Sequence, residues 1–406
     1  MSAMKRLFQL MSEKNASDIF LSVGAPINIK INGVAMPVNQ TIMTADTVRQ
    51  LLYEILTEKQ IREYEEEMEL NIGYAMQGVG SFRISAFRQK QTPAVVVRYI
   101  PGSVPDLDNL GLPQILREVI LQKRGLLLMV GATGSGKSTS LAAMLDYRNS
   151  LQSGHILTLE DPVEFIFTNK KSIVNQREIG TDTKAFYVAL RNALRQAPDC
   201  ILIGEIRDKE TMAMALAYAQ SGHLCLATLH ANNSYHAMNR IINFYPLENR
   251  PSLLLDLGAT LQAVVSQRLV RTKTGRRAAA VEVLLNTRHV QELIQKGELN
   301  EIKEALEKSM APGSQTFEQA LFKLFMEGEI TQDEALSNAD SATNMLWLIN
   351  QATAGDATGD VAPEHTGELA PEAPSPSPKK KKEPTEDPFS RTGDITQFRD
   401  IKIDLE

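Results

Sequence analysis

The stretch VGATGSGKSTS, at residues 130 to 140, directly follows the apolar run GLLLMV at residues 125 to 130. It matches the pattern G-x-x-x-x-G-K-[ST] through Gly131, Gly136, Lys137 and Ser138. Glycines let backbone N–H groups turn inward around phosphate oxygens, the lysine neutralises phosphate charge, and the hydroxyl can ligate Mg²⁺. The stretch therefore predicts a phosphate-binding loop between a buried strand and a helix, whose N-terminus points at the anion. A glycine loop without a ligand is the alternative.

The segments around this loop predict an α/β domain. From about Leu116, apolar strand-like runs such as HILTLE, CILIGE and LCLATLH alternate with helical segments. This alternation is typical of a mainly parallel sheet. Beyond about residue 258 the chain looks helical, interrupted by RTKTGRRAAAVEVLLN at residues 271 to 286, which predicts a hairpin.

The first hundred residues predict a smaller α+β domain. DIFLSVG, SFRISAF and AVVVRYI are strand-like, and Asn32-Gly33 predicts a hairpin turn. Thr57 and Gln60 have the spacing of a capping box at the start of the helix EKQIREYEEEM. The domain boundaries that we expect are an N-terminal domain at 1–100, a linker at 101–115, an ATPase-like α/β domain at 116–350 and a disordered Pro/Glu/Lys-rich tail at 351–406.

Composition narrows the class of protein. The chain has 406 residues, a net charge of -6 and only two cysteines, Cys200 and Cys225. A negative balance argues against a general nucleic-acid partner, so we expect none. Two cysteines in apolar runs argue against a disulfide framework and favour a cytoplasmic setting. We expect no signal peptide and no transmembrane segment, because no apolar run has the necessary length.

Acidic residues follow two of the predicted strands. Glu160, Asp161 and Glu164 come at the end of HILTLE, and crowded carboxylates are costly unless a cation is near. Their alternative role is to cap a helix around a proline. Glu205 ends CILIGE, which resembles a Walker B strand with Gly204 where an aspartate is usual. Its alternative is a surface glutamate. Because ligands bind at the carboxyl ends of strands in open α/β sheets, we expect a site there.

Two histidines bracket the strand-like run LCLATL. His223 and His230 are seven residues apart, so on a strand they point to opposite faces and a shared metal site is not expected. A lone histidine is usually structural, and the alternative is that one imidazole senses the terminal phosphate of a nucleotide. The candidate ligand contacts are therefore Gly131, Ala132, Thr133, Gly134, Ser135, Gly136, Lys137, Ser138, Thr139, Glu160, Asp161, His223 and His230, with Ser138 and Glu205 as candidate metal ligands.

Four boxes in order carry a family resemblance. GATGSGKST, ILTLEDPVEF, ILIGEIRD and GHLCLATLH resemble the type IV pilus retraction ATPases of the PilT/PilU family, in the secretion ATPase superfamily. EKNASDIFLSVGAPINIKING and SFRISAFRQ resemble that family's N-terminal domain. The resemblance implies a PAS-like domain before a RecA-like P-loop ATPase domain, a homohexameric ring, and the ligands ATP and Mg²⁺. It also implies that Glu164 orients the attacking water, that Glu205 acts at the metal, and that Arg83 and Arg98 reach the γ-phosphate. The alternative for the arginines is exposed strand positions.

Three departures resemble the PilU branch. SDIF stands where PilT has SDLH, LLNTRHVQELIQKGE alters the AIRNLI-like box, and the tail is long and charged. The implied partners are a PilT-type paralogue and an inner-membrane pilus platform protein, with the protein peripheral at the inner face of the inner membrane. One alternative is a regulatory adaptor without essential turnover. Another is a pilus assembly or type II secretion ATPase, which the missing four-cysteine zinc module counts against.

Overall fold

The computed structural model describes residues 2–31, 33–76, 78–100 and 104–355. The hairpin residue Asn32, the first linker residues at 101–103 and the predicted tail from residue 356 onward lie outside the described residues.

The N-terminal part is an antiparallel sheet with helices. Its elements are α1 (Ala3–Glu13), β1 (Asp18–Ser22), β2 (Asn28–Ile31), β3 (Val34–Pro37), α2 (Ala45–Tyr53), α3 (Glu58–Glu67), β4 (Glu69–Met76), β5 (Gly80–Gln89) and β6 (Thr92–Ile100). Among the described residues, the six strands are ordered β3-β2-β1-β6-β5-β4. The predicted strands and the β2–β3 hairpin are confirmed, whereas sequence analysis missed α1 and β4.

This sheet and its helices share one hydrophobic core. Alternate residues of β5 are buried, including Phe82 and Ile84, and Phe8 of α1 stacks on Phe82 with ring centroids 4.2 Å apart. The period-2 alternation leaves Arg83 outside this core. Thr57 and Gln60 form the predicted capping box at the start of α3.

The second part is an α/β layer structure. Its helices are α4 (Ile115–Ile120), α5 (Lys137–Leu151), α6 (Phe186–Ala193), α7 (Lys209–Gln220), α8 (Ser234–Asn243), α9 (Arg250–Thr260), α10 (Arg288–Lys296), α11 (Ile302–Glu307), α12 (Phe317–Met326), α13 (Gln332–Asn338) and α14 (Ala342–Gly355). Its strands are β7 (Gly125–Val130), β8 (Gly154–Glu160), β9 (Ser172–Glu178), β10 (Cys200–Ile203), β11 (Leu224–Leu229), β12 (Leu261–Arg271) and β13 (Arg277–Leu285).

These seven strands of the described chain form one sheet in the order β13-β12-β7-β11-β10-β8-β9. All pairs are parallel except β12–β13, so the predicted mainly parallel sheet is confirmed. Every residue of β7 and β11 is buried, because helices cover both faces of a parallel sheet. The carboxyl ends of β7, β11, β10 and β8 consequently meet at one edge.

Three features of the structure bear on the predicted elements and boundaries. Residues 261 to 270, predicted as helical, belong to β12, because this apolar run pairs with β7 in the centre of the sheet. Within the predicted linker, Leu107 is buried in the same hydrophobic cluster as Leu116. α14 continues to Gly355, past the predicted start of the tail at 351, because its buried Met345 and Ile349 pack on the neighbouring helices. The division into domains otherwise stays a prediction.

Candidate functional site

The phosphate-binding loop is held against β12. Gly131 has φ 153°, and a Cβ atom placed on it would lie 2.6 Å from the carbonyl oxygen of Gln267. A side chain is therefore excluded there. The buried amide of Gln267 also accepts a hydrogen bond from the Ser140 hydroxyl of α5 at 2.7 Å. Sequence analysis missed Gln267, because β12 was not recognised as a strand.

Lys137 lies inside the loop. Its Nζ donates to the carbonyl oxygens of Gly131 at 2.8 Å and Ala132 at 2.9 Å. Burial lowers the pKa of Lys137, and the nearby carboxylates of Glu205 and Glu164 partly oppose this. The carboxylates of Glu205 and Glu164 both act on the Lys137 ammonium, so the loop lies close to the acidic residues that follow β8 and β10.

A cavity of about 270 Å³ opens beside the loop, where the strand ends meet. We call it the acidic cavity. The sequence-predicted residues that line it are Thr133, Gly134, Lys137, Ser138, Glu160, Asp161, Glu164, Glu205 and His230. Segments distant in sequence are thus brought together as expected from the crossover connections of a parallel sheet.

Glu160 is the buried carboxylate of this cavity. Its Oε1 accepts from the Thr158 hydroxyl at 2.6 Å and from the Gln176 amide at 3.3 Å. Burial raises the pKa of Glu160, and these two hydrogen bonds counteract the rise. Glu164, by contrast, is exposed at the rim of the cavity, where its carboxylate has access to solvent.

Glu205 has a partner at each carboxylate oxygen. Its Oε2 accepts from Arg207 Nε at 2.7 Å, and its Oε1 lies 3.3 Å from His230 Nε2. Arg207 Nη1 also reaches Asp161 Oδ2 at 3.4 Å, so one guanidinium joins both acidic boxes. Sequence analysis did not single out Arg207, although it stands two residues after Glu205 in the quoted box.

Gly204 explains the departure from the usual Walker B pattern. A Cβ atom there would lie 3.0 Å from the Leu159 carbonyl oxygen and 3.2 Å from Glu160 Cα. The ends of β8 and β10 approach each other this closely because Gly204 donates its N–H to the Leu159 carbonyl oxygen at 2.7 Å. An aspartate would require the neighbouring backbone to move.

The structure separates the two histidines. His230 follows β11 and lies in the acidic cavity. His223 precedes β11 and therefore lies at the other end of the strand. Six residues at a rise of about 3.3 Å each separate the two ends by about 20 Å. His223 instead contacts the Tyr218 carbonyl oxygen through Nδ1 at 3.2 Å. His223 does not line the acidic cavity of its own chain, and its contact with the ligand stays a prediction.

Arg83 and Arg98 face each other on β5 and β6 of the N-terminal sheet. Arg98 is exposed and its Nε binds the buried Asp18 carboxylate at 3.0 Å. Neither arginine lines the acidic cavity of its own chain. Their role at the phosphate stays a prediction that requires a neighbouring subunit.

A second cavity, of about 610 Å³, lies on the other side of the loop. Thr133 and Gly134 line both cavities, and Ala132 and Ser135 line the second one. Polar and charged side chains, among them Gln267, Arg268 and Glu282, contribute to the wall of the second cavity. Three further predicted contacts belong to the loop and the first helical turn without lining either cavity, namely Gly131, Gly136 and Thr139.

The donor set fits one weakly held divalent cation. Within the described residues, no three histidine, cysteine, aspartate or glutamate side chains are grouped to hold a metal by themselves. Mg²⁺ in phosphate sites takes one or two protein ligands and completes its shell with waters and phosphates. The Ser138 hydroxyl and the Glu205 carboxylate, which line the same cavity, match that requirement.

Across the described parts of the chain, no helix combines the length and apolar character needed to span a bilayer.

Together, the parallel sheet, the glycine loop and the acidic strand ends define a P-loop protein with a RecA-like α/β domain. The family model described as "Type II/IV secretion system protein" matches residues 2–337. The chain belongs to this family.

Named relatives refine the comparison. The chain is 47% identical to the type IV pilus ATPase PilU of Pseudomonas aeruginosa, over 87% of this chain and 93% of that protein. It is 38% identical to PilT of the same organism, a type IV pilus retraction ATPase, over 83% of this chain and 98% of PilT. The crystal structure of the pilus retraction motor PilT with bound ADP superposes with a TM-score of 0.80 at 37% identity, covering 86% of this chain and 99% of that one.

Proposed function

We propose that this protein is a Mg²⁺-dependent ATPase motor that powers or assists type IV pilus retraction, as a PilU-type accessory to PilT. The observation that carries the proposal is the acidic cavity, which unites Lys137 and Ser138 of the loop with Glu164 and Glu205. The similarity to PilU and PilT supports the biological role.

The residues would divide the chemistry as follows. Lys137 leaves the carbonyl oxygens of its own loop and binds the β- and γ-phosphates, where its charge is needed. Ser138 and Glu205 would hold Mg²⁺, which would neutralise phosphate charge when bound. Glu164, exposed at the rim, orients the attacking water, and His230 contacts the terminal phosphate. Two cavities flank the loop, so the larger one receives the nucleoside half.

Assembly would complete the site. A homohexamer places Arg83 and Arg98 of one subunit at the acidic cavity of the next, which fits their distance from the cavity of their own chain. The ring would lie at the cytoplasmic face of the inner membrane and act, with a PilT-type paralogue, on the pilus platform protein. ATP hydrolysis would drive the motion that depolymerises the pilus.

Phosphate release by the purified protein, with and without a PilT-type partner, tests the proposal. Turnover that Lys137→Ala and Glu205→Gln both abolish supports an ATPase motor, because these side chains come from different boxes. EDTA should remove the turnover and Mg²⁺ should restore it. Rates unchanged by Glu205→Gln would instead support a nucleotide-binding adaptor.

A further inference from the structure

Arg207 is a cation of the acidic cavity to which the roles above assign no task. It lies after β10, and its side chain is 55% exposed. Its guanidinium binds Glu205 Oε2 through Nε at 2.7 Å and approaches Asp161 Oδ2 through Nη1 at 3.4 Å. The group therefore lies at the cavity wall with part of its donor set open to solvent.

The contact with Glu205 conflicts with the proposed work of Glu205. Arg207 and His230 occupy its two carboxylate oxygens. A carboxylate so engaged must lose a partner before it can ligate a metal. The guanidinium that leaves still approaches Asp161 at 3.4 Å, and its solvent-exposed donors are available to a second anion.

The terminal phosphate of a nucleotide is the anion that would enter this cavity. Four carboxylates line the cavity, at Glu160, Asp161, Glu164 and Glu205, so a phosphate needs cations to offset their repulsion. Lys137 supplies one such charge from the loop. A guanidinium suits a second, since its planar donors match phosphate oxygens in pairs.

We propose that Arg207 exchanges partners when nucleoside triphosphate binds, leaving Glu205 for the γ-phosphate and thereby freeing Glu205 for the metal. The inference rests on the proposed ATPase function and adds a further phosphate-binding residue to it. A purely structural brace is the competing explanation. An ion pair as exposed as this one contributes little to stability, so bracing is a small effect.

Comparing two nucleotides tests the exchange. Dissociation constants for ADP and for the non-hydrolysable analogue AMPPNP are measured by titration calorimetry on the full chain with Mg²⁺. Arg207→Ala should weaken AMPPNP binding by about tenfold to a hundredfold, the range for a lost hydrogen bond to a charged group. ADP binding should change less than about twofold, because ADP lacks the phosphate that Arg207 contacts.

Three further variants sharpen the result. Arg207→Lys should keep part of the preference for AMPPNP, because it retains the charge but not the paired donors. Arg288→Ala removes an exposed arginine outside both cavities, paired to Glu292 at 3.2 Å, and should change neither constant. Measured without Mg²⁺, so that the loss of a metal ligand plays no part, Glu205→Gln should bind AMPPNP at least as tightly as the unaltered protein, since Arg207 no longer has to leave an anion.

Equal losses for ADP and AMPPNP in Arg207→Ala, or no loss for either, would overturn the exchange while leaving the ATPase proposal intact. If the unaltered protein bound neither nucleotide, the ATPase proposal itself would fail.

Discussion

Replacing Gly131 by alanine isolates the contact between the phosphate-binding loop and β12. The new Cβ would lie 2.6 Å from the Gln267 carbonyl oxygen, where real Cβ atoms do not come closer than 3.0 Å. It would also overlap the Ser135 hydroxyl, which can rotate away. The Gln267 carbonyl oxygen belongs to a central strand of the sheet and cannot move away, so the loop itself must shift.

The cost has two parts. Backbone strain at φ 153° contributes about 1–3 kcal/mol, and overpacking against Gln267 contributes about 1–3 kcal/mol more. Gly134→Ala is the matched control, because Gly134 also has a positive φ, of 80°, but no atom lies within 4 Å of its Cβ position. The control carries only the conformational cost of about 1–2 kcal/mol.

Thermal unfolding followed by circular dichroism measures the difference. An excess of about 1–3 kcal/mol in Gly131→Ala corresponds to a midpoint lower by roughly 2–12 °C than that of Gly134→Ala, for a domain of this size. Nucleotide binding should weaken as well, because the loop shift moves the carbonyl that Lys137 contacts. Equal midpoints for the two variants would refute the packing argument.

Three other outcomes follow from the site. Glu205→Gln should lower ATP turnover by about 10²-fold or more in a phosphate-release assay, because stabilisation of transition-state charge by a metal is worth several kcal/mol, and unchanged turnover would contradict its assigned role. His230→Ala should reduce turnover whereas His223→Ala should not, because only His230 lines the acidic cavity; equal effects would argue against that placement. Arg83→Ala should be inactive alone but regain turnover when mixed with inactive Lys137→Ala, since a mixed ring contains intact interfaces; no rescue would place Arg83 outside the shared site.

The phosphate-binding loop could be predicted from sequence because its chemistry is contiguous. Glycines, the lysine and the hydroxyl lie within a few residues, so their spacing fixes their geometry without reference to the rest of the fold. Glu160 and Glu205 could also be predicted from sequence, since each follows a short apolar run that alternates with helical segments, as in a parallel sheet. Parallel strands bring such ends to one edge of a sheet.

Other features depended on contacts between distant segments. The run that forms β12 is largely apolar, and periodicity alone does not distinguish a buried strand from a helix. The pairing of this run with β7 makes it a strand, and that pairing also brings Gln267 against the phosphate-binding loop.

The class of chemistry and the family of this protein could be inferred before any fold was known, because both reside in short, ordered sequence motifs. The tertiary structure decided which of two histidines reaches the acidic cavity and that Arg207 binds Glu205 and Asp161. These choices depend on strand direction and on distances between strands. Such distances arise from the packing of the whole sheet, and no local pattern of residues encodes them.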